Sequence, residues 1–216
     1  MAASFRAILL DFDGTLVDSE PLHHEAWSAA VAPHGASVSW EDYQRRFVGQ
    51  TDRWAARVLL SEAGRPLEPA LLEEVRLAKH AYFRDFAAVR FRVSPGVVDL
   101  VKKAATIVRL GVVSSSLRLD VLPALERAGF ADLLAACVFG EDVSRHKPDP
   151  EPYLLALERL REAGPLLAAE TLVFEDSTSG LASARAAGMQ TVQVAHAAEL
   201  EGLLEAALEG ARPPSS

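Results

Sequence analysis

The amino-acid sequence predicts an α/β protein: an open parallel β-sheet with helices on both faces, interrupted after its first strand by an all-helical insertion. Three features lead there. Short apolar, β-rich runs recur along the chain, each closed by a polar or turn residue. Amphipathic helical patterns separate the later runs. Between the first run and the second, helical periodicity alone extends over residues 16–90.

The first strand is predicted at Ala7–Leu10, ending at Asp11. Four helical patterns follow with no strand among them, over residues 22–32, 40–47, 53–63 and 71–86. The turn signal Ser94-Pro95-Gly96 closes this insertion and leads into a helix over residues 97–105. Further strands are expected at 107–113, 137–139, 171–174 and 191–194, and the helices between them at 119–128, 152–163 and 181–187. Gly129, Gly164 and Gly188 stand where C-terminal caps belong. Residues 197–208 read as a last amphipathic helix and 211–216 as a frayed tail. Residues 1–15 and 91–216 are thus expected to form an α/β core and residues 16–90 a helical cap domain. The hinge falls at Leu16-Val17-Asp18-Ser19-Glu20, where Asp18 and Glu20 need no catalytic role.

With 216 residues, half of them hydrophobic, the chain is long enough for a substantial core with an insertion. Its formal net charge of −8 argues against a nucleic-acid surface and for a small-molecule partner, although a local basic pocket for an anionic metabolite survives that average. The one cysteine, Cys137, excludes an intrachain disulfide and is expected to be a buried structural thiol. Asp11 breaks the N-terminal apolar stretch too early for a signal-peptide core, and no run reaches membrane-spanning length. The expectation is a cytoplasmic protein with no membrane partner, acting as a monomer.

In an open parallel sheet, ligands gather beyond the C-terminal strand ends, where the strand order reverses. The polar residues ending the apolar runs therefore share one rim: Asp11, Asp13 and Thr15; Ser114, Ser115 and Ser116; Lys147; and Glu175 with Asp176. Converging carboxylates need a counter-ion. Oxygen-only ligands suit a hard cation, and magnesium, which shares its shell with phosphate, fits better than zinc. Asp11 and Asp176 are the first-choice carboxylate ligands. Beside a metal, Asp11 can stay ionised and attack phosphorus, forming an aspartyl-phosphate, while Asp13 protonates the leaving alkoxide and later takes a proton from water. Gly14 lets the backbone turn close to the phosphate. Ser114 can donate its hydroxyl, amides at the start of the following helix can hold an anion, and Lys147 brings positive charge. Singly, each element has a plainer explanation: a turn at Asp11-Phe12-Asp13, N-capping by Ser114–Ser116 or by Glu175-Asp176, a solvated loop at Lys147-Pro148. Their joint occurrence at strand ends of one sheet carries the reading.

Four motifs in order, Asp11-Phe12-Asp13-Gly14-Thr15, Val112-Val113-Ser114, Lys147-Pro148 and Glu175-Asp176, make the sequence resemble the haloacid dehalogenase-like superfamily over nearly the whole chain. The resemblance implies a Rossmann-like parallel-sheet core with a small all-helical cap. It implies Asp11 as nucleophile and Asp13 as general acid/base. Gly14, Thr15, Ser114, Ser115 and Lys147 would then bind phosphate. Magnesium would be held by Asp11, the backbone carbonyl of Asp13, Glu175 and Asp176. Dehalogenases of the superfamily lack an aspartate at the position of Asp13, so phosphoryl chemistry is favoured. The cap, with the strings 146–153 and 175–180, resembles the branch of sugar-phosphate phosphatases and β-phosphoglucomutase. Asp18 to His23 and Trp27 match the mutase pattern, in which a histidine at the His23 position contacts the general acid on closure; a solvated helix residue is the other reading of His23. Against the mutase, its arginine for a distal phosphate, shortly after the position of Gly49, meets Asp52 here with Arg53 one residue later. Lys79 is an uncertain counterpart of its cap lysine, and a solvated face is the plainer reading of Arg53 and Lys79. The expected activity is hydrolysis of a phosphate monoester of a small metabolite, with a mutase as the alternative and a non-catalytic module as the reading from another class.

Overall fold

The structure, a computed structural model, covers residues 5–48 and 50–210. Gly49 and the tail 211–216 lie outside the described residues. These form two compact units: one holds the N-terminal segment to Asp18 with everything from Phe91 onward, the other is Ser19–Arg90.

The first unit is built on five parallel strands, β1 (Ala7–Leu10), β2 (Arg109–Val113), β3 (Leu134–Val138), β4 (Thr171–Glu175) and β5 (Gln190–Gln193), in the order β3-β2-β1-β4-β5. The central β1 is buried along its whole length. Ala7 and Leu9 join the core with Tyr153, Ala156, Leu157 and Leu160, while Ile8 and Leu10, which point to the opposite face, are equally inaccessible. Burial on both faces makes a parallel strand read as a continuous apolar run, which is why β1 and β4 stand out in the sequence. The connections are α5 (Pro95–Ala105), α6 (Arg118–Ala128), α7 (Glu151–Arg161) and α8 (Thr178–Ala186), with α9 (Leu200–Gly210) packed on α5.

The helical unit contains α1 (Glu20–Val31), α2 (Trp40–Arg46), α3 (Asp52–Glu62) and α4 (Pro69–Arg90). Its own core gathers Trp27, Tyr43, Phe47, Leu59, Leu60 and Val75. Ser39 and Thr51 start α2 and α3 as N-caps, their hydroxyls accepting from Asp42 N–H at 3.1 Å and Trp54 N–H at 3.3 Å. No helix among the described residues is long and apolar enough to cross a membrane.

Three expectations are corrected. Residues 16–18 remain with the sheet unit, because Leu16 N–H and Val17 N–H donate to Phe12 O at 3.0 and 3.1 Å, and Gly14 N–H donates to Val17 O at 2.8 Å. Strand β3 begins at Leu134, earlier than its most apolar residues suggest. Cys137 is half-buried rather than buried, since β3 lies at the sheet edge and alternates, with Ala136 and Val138 turned inward; burial pushes its thiol pKa up.

The β2–β3 register shifts between Leu110 and Gly111. A Cβ on Gly111 would lie 2.7 Å from the Ala136 carbonyl oxygen and 2.7 Å from Leu9 Cδ2. Gly111→Ala is expected to destabilise the protein by about 1–3 kcal/mol, read as a lower urea midpoint, because backbone rather than a flexible side-chain tip must give way.

Candidate active site

The chain winds from β1 toward β2 and β3 on one side and returns to β4 and β5 on the other, so the order reverses between the adjacent ends of β1 and β4. Asp11 follows β1, and its N–H donates to Phe174 O at 3.0 Å. Glu175 ends β4 and Asp176 follows it. Lys147, carried by the loop before α7, reaches into this crevice with a side chain 5% exposed. Its ammonium donates to Asp11 Oδ1 at 2.6 Å, to Glu175 Oε2 at 2.7 Å and to Val113 O at 3.1 Å. The Lys147–Pro148 peptide bond is cis.

Glu175 is saturated. Its Oε2 also accepts from the buried Tyr153 hydroxyl at 2.6 Å, and its Oε1 accepts from Ser177 N–H at 3.2 Å and Ser177 Oγ–H at 2.7 Å. Ser177 Oγ in turn accepts from Gly180 N–H at 3.0 Å, which makes Ser177, not Glu175 or Asp176, the N-cap of α8. Glycine is required at 180, where a Cβ would collide with the Glu175 carboxylate. Gly14 has φ +77° and faces Asp176 so closely that a Cβ there would overlap its carboxylate.

Asp11, Glu175 and Asp176 each offer an oxygen within 4.8 Å of the others. Three carboxylates against one ammonium leave excess negative charge. Burial, then Glu175 and Asp176, push the Asp11 pKa well above the ordinary carboxylate range despite Lys147. Burial and Glu175 bring Asp176 up to about 7. Burial works against the charge on Lys147, yet Asp11, Tyr153 and Glu175 hold its pKa well above that of an ordinary lysine. Burial also opposes ionisation of Glu175, but Lys147 and the bonds from Tyr153 and Ser177 keep its pKa low. A hard divalent cation would supply the missing positive charge, and the oxygen-only donor set fits magnesium. Since Glu175 is fully hydrogen-bonded, Asp11 and Asp176 have the freer oxygens for it.

The serine loop does not cap α6. That helix has Leu117 as its N-cap residue, with no side-chain cap bond. Ser114, buried, accepts from Ser116 N–H at 2.9 Å; Ser115 is exposed; Ser116 Oγ–H donates to Asp13 Oδ2 at 2.6 Å. The Arg118 N–H expected for an anion is taken by the Glu141 carboxylate, at 3.0 and 3.2 Å. Thr15 is fully buried, and its hydroxyl has no hydrogen-bond partner among the described residues.

His23, Arg53 and Lys79 belong to the helical unit. His23 stacks on Phe83 with ring centroids 4.1 Å apart. Lys79 is not on a solvated face: it is 4% exposed, lies over the rings of Trp27 and Phe83, and donates to both Asp52 oxygens at 3.1 Å. His80 approaches Asp52 at 2.9 Å, and Arg53 is exposed. Tyr153, Ser177 and Gly180 received no role from the sequence, although they lie inside the strings 146–153 and 175–180.

The haloacid dehalogenase-like hydrolase family model matches residues 5–188. The chain belongs to that family. This haloacid dehalogenase-like hydrolase is 32% identical over 190 residues to the phosphorylated carbohydrates phosphatase of Thermotoga maritima, covering 86% of this chain and 83% of the relative. It is 34% identical over 206 residues to validoxylamine A 7'-phosphate phosphatase of Streptomyces hygroscopicus subsp. limoneus, covering 94% and 91%. Among solved structures, CbbY from Rhodobacter sphaeroides in complex with phosphate superposes with TM-score 0.67 at 27% identity, over 87% of this chain and 84% of that one. The chain is therefore an enzyme, a hydrolase with named phosphatases among its relatives.

Burial first, then the Lys79 charge, lower the His23 pKa from 6.5 to about 3, with Asp52 opposing and His80 assisting. The unfolded chain thus takes up a proton near pH 6.5 that folded His23 refuses until about pH 3, so this contribution to stability is present above pH 6.5 and lost as the pH falls. Melting temperatures between pH 7 and pH 5 are expected to fall less steeply in His23→Phe than in the unaltered protein.

Proposed function

We propose that this hydrolase is a magnesium-dependent, cytoplasmic phosphatase that cleaves a phosphate monoester of a small metabolite, a sugar phosphate or a close relative, through an aspartyl-phosphate on Asp11. The observation that carries the reading is the buried Asp11–Lys147–Glu175 bridge at the sheet's reversal point, with Asp176 beside it and Asp13 two residues on.

Lys147 holds Asp11 Oδ1 and so fixes the plane of the carboxylate that attacks phosphorus. As the new P–O bond forms, the bond to the leaving oxygen breaks. That oxygen keeps the electron pair and takes a proton from Asp13. Water then attacks the aspartyl-phosphate, giving up a proton to Asp13, and inorganic phosphate leaves while Asp11 is restored. Lys147 and the Ser114 loop neutralise and orient the equatorial oxygens. Glu175, saturated by Lys147, Tyr153 and Ser177, orients the lysine. Magnesium, held by Asp11, the Asp13 carbonyl and Asp176, would screen the charges of carboxylate and phosphate from one another.

Phosphatase and mutase share the first half of this sequence and differ in the acceptor of the phosphoryl group. The carboxylate of Asp52, bonded to Lys79 and His80, supports the phosphatase. It pairs Lys79, the uncertain counterpart of the mutase's cap lysine, within the helical unit itself. The names of the relatives quoted above point the same way, to phosphorylated carbohydrates and related compounds.

With a panel of phosphate monoesters, phosphate release is expected to require magnesium, to stop with a chelator and to return on re-addition. Asp11→Asn is expected to lower kcat by about a thousandfold or more, since the amide keeps the shape but not the nucleophile. Full activity in that variant would end the proposal. Glucose 1-phosphate turned into glucose 6-phosphate without net phosphate release would replace it with the mutase.

A further inference from the structure

We infer that Glu151 is a positioning residue, which aims Lys147 by gripping the backbone of the loop that carries it; this rests on Lys147 as the cation of the proposed phosphoryl transfer. The loop has little apolar packing of its own. Val143 packs against the core, but Ser144, Arg145, His146 and Pro148 after it are exposed. The position of the Lys147 backbone among them therefore depends on hydrogen bonds.

Glu151, the first residue of α7, supplies those bonds at the entry of the loop. Its Oε1 accepts from Ser144 N–H at 2.9 Å and its Oε2 from Arg145 N–H at 3.1 Å. The Arg145 side chain adds a bond from Nε to Oε2 at 2.9 Å and an ion pair with Asp149 at 3.3 Å, but it is 70% exposed, where such pairs contribute little. At the exit, Asp149 N–H donates to His146 O at 2.9 Å, and Asp149 O accepts at 2.5 Å from the hydroxyl of Ser183, a fully buried residue of α8. Two residues beyond Glu151, Tyr153 gives its hydroxyl to Glu175, and Lys147 Nζ lies 5.2 Å from the centre of the tyrosine ring. The first turn of α7 thus grips the loop with one side chain and the carboxylate partner of Lys147 with another.

The grip matters during turnover. At rest, Lys147 is also held by its own bonds to Asp11, Glu175 and Val113 O. Once an oxygen of Asp11 is bonded to phosphorus, that carboxylate has become an acyl phosphate and has given up most of its negative charge, so its bond from the ammonium weakens. The backbone of the loop then has to keep the ammonium beside the equatorial oxygens. A displacement of about 1 Å is enough to cost as much as about a hundredfold in rate.

The test measures inhibition by orthovanadate, which takes up the five-coordinate shape of the transferring phosphoryl group, together with kcat and KM on the best sugar monophosphate of the panel. The variants are Glu151→Ala, Glu151→Gln and Arg145→Ala. In Glu151→Ala the vanadate inhibition constant is expected to rise and kcat to fall by about tenfold, with KM changed by less than about twofold. Glu151→Gln, which keeps one acceptor oxygen for one of the two amides, should fall between this variant and the unaltered enzyme, and it decides the matter alone should Glu151→Ala not fold. Arg145→Ala, which leaves both amide bonds in place, should match the unaltered enzyme within about twofold. A structural role alone would lower the amount of folded enzyme, and so the apparent kcat, while leaving the inhibition constant where it was. That result, or an Arg145→Ala effect equal to that of Glu151→Ala, would overturn the role of Glu151 and leave the phosphatase standing. If the unaltered protein with magnesium releases phosphate from no monoester of the panel, the underlying reading falls and the role of Glu151 falls with it.

Discussion

One ammonium group organises this site. Lys147 is buried between the carboxylates that end β1 and β4, and it is the positive charge that lets Asp11 and Glu175 be removed from water together. Leaving either carboxylate buried without it would cost several kcal/mol. Much of what surrounds the crevice serves that bridge. Tyr153 from α7 and Ser177 from the start of α8 fill the remaining bonding positions of Glu175, and Gly180 keeps the first turn of α8 out of its way. Counted as ionised, Asp11, Glu175 and Asp176 still carry two negative charges beyond Lys147, which is the charge one divalent cation would balance.

The sheet supplies the geometry that makes the bridge possible. Pairing of β1 with β2 on one side and β4 on the other fixes its register twice, so the position of Asp11 does not depend on its loop alone. Asp13 is held differently. It sits in a turn closed by bonds among Phe12, Gly14, Leu16 and Val17, and its carboxylate is reached from the β2 side by Ser116. The Asp11 carboxylate is anchored by strands, and the Asp13 carboxylate by a turn and a hydroxyl.

The strands and the helical insertion were legible because buried parallel strands and amphipathic helices leave periodic marks in the chain. The carboxylates and Lys147 were legible because strand ends in such a sheet converge. Several details were not. Strand β3 begins among small residues of an edge, where Ala135 is exposed, and this dilutes the apolar signal that marks β1. Tyr153 looks like any core aromatic of an amphipathic helix until Glu175 is found 22 residues away. Lys79 carries a residue type that belongs in water, and only its placement between Trp27, Phe83 and Asp52 reveals a buried cation. Ser114–Ser116 resemble a helix cap, and Glu141 takes the place of that cap from a different loop. Periodicity records which face a residue occupies, not which distant residue shares it.

The hydroxyl of Tyr153 ties the site to the largest fully buried side chain of the sheet unit. A change in α7 that loosened packing would also release Glu175 and, through it, Lys147, so folding and turnover would decline together. The pair of Asp52 with Lys79 sits instead in the helical unit, which has a core of its own. Substitutions around Tyr153 therefore strike packing and the charged crevice at once, which leaves this corner of the sheet unit the least free to vary.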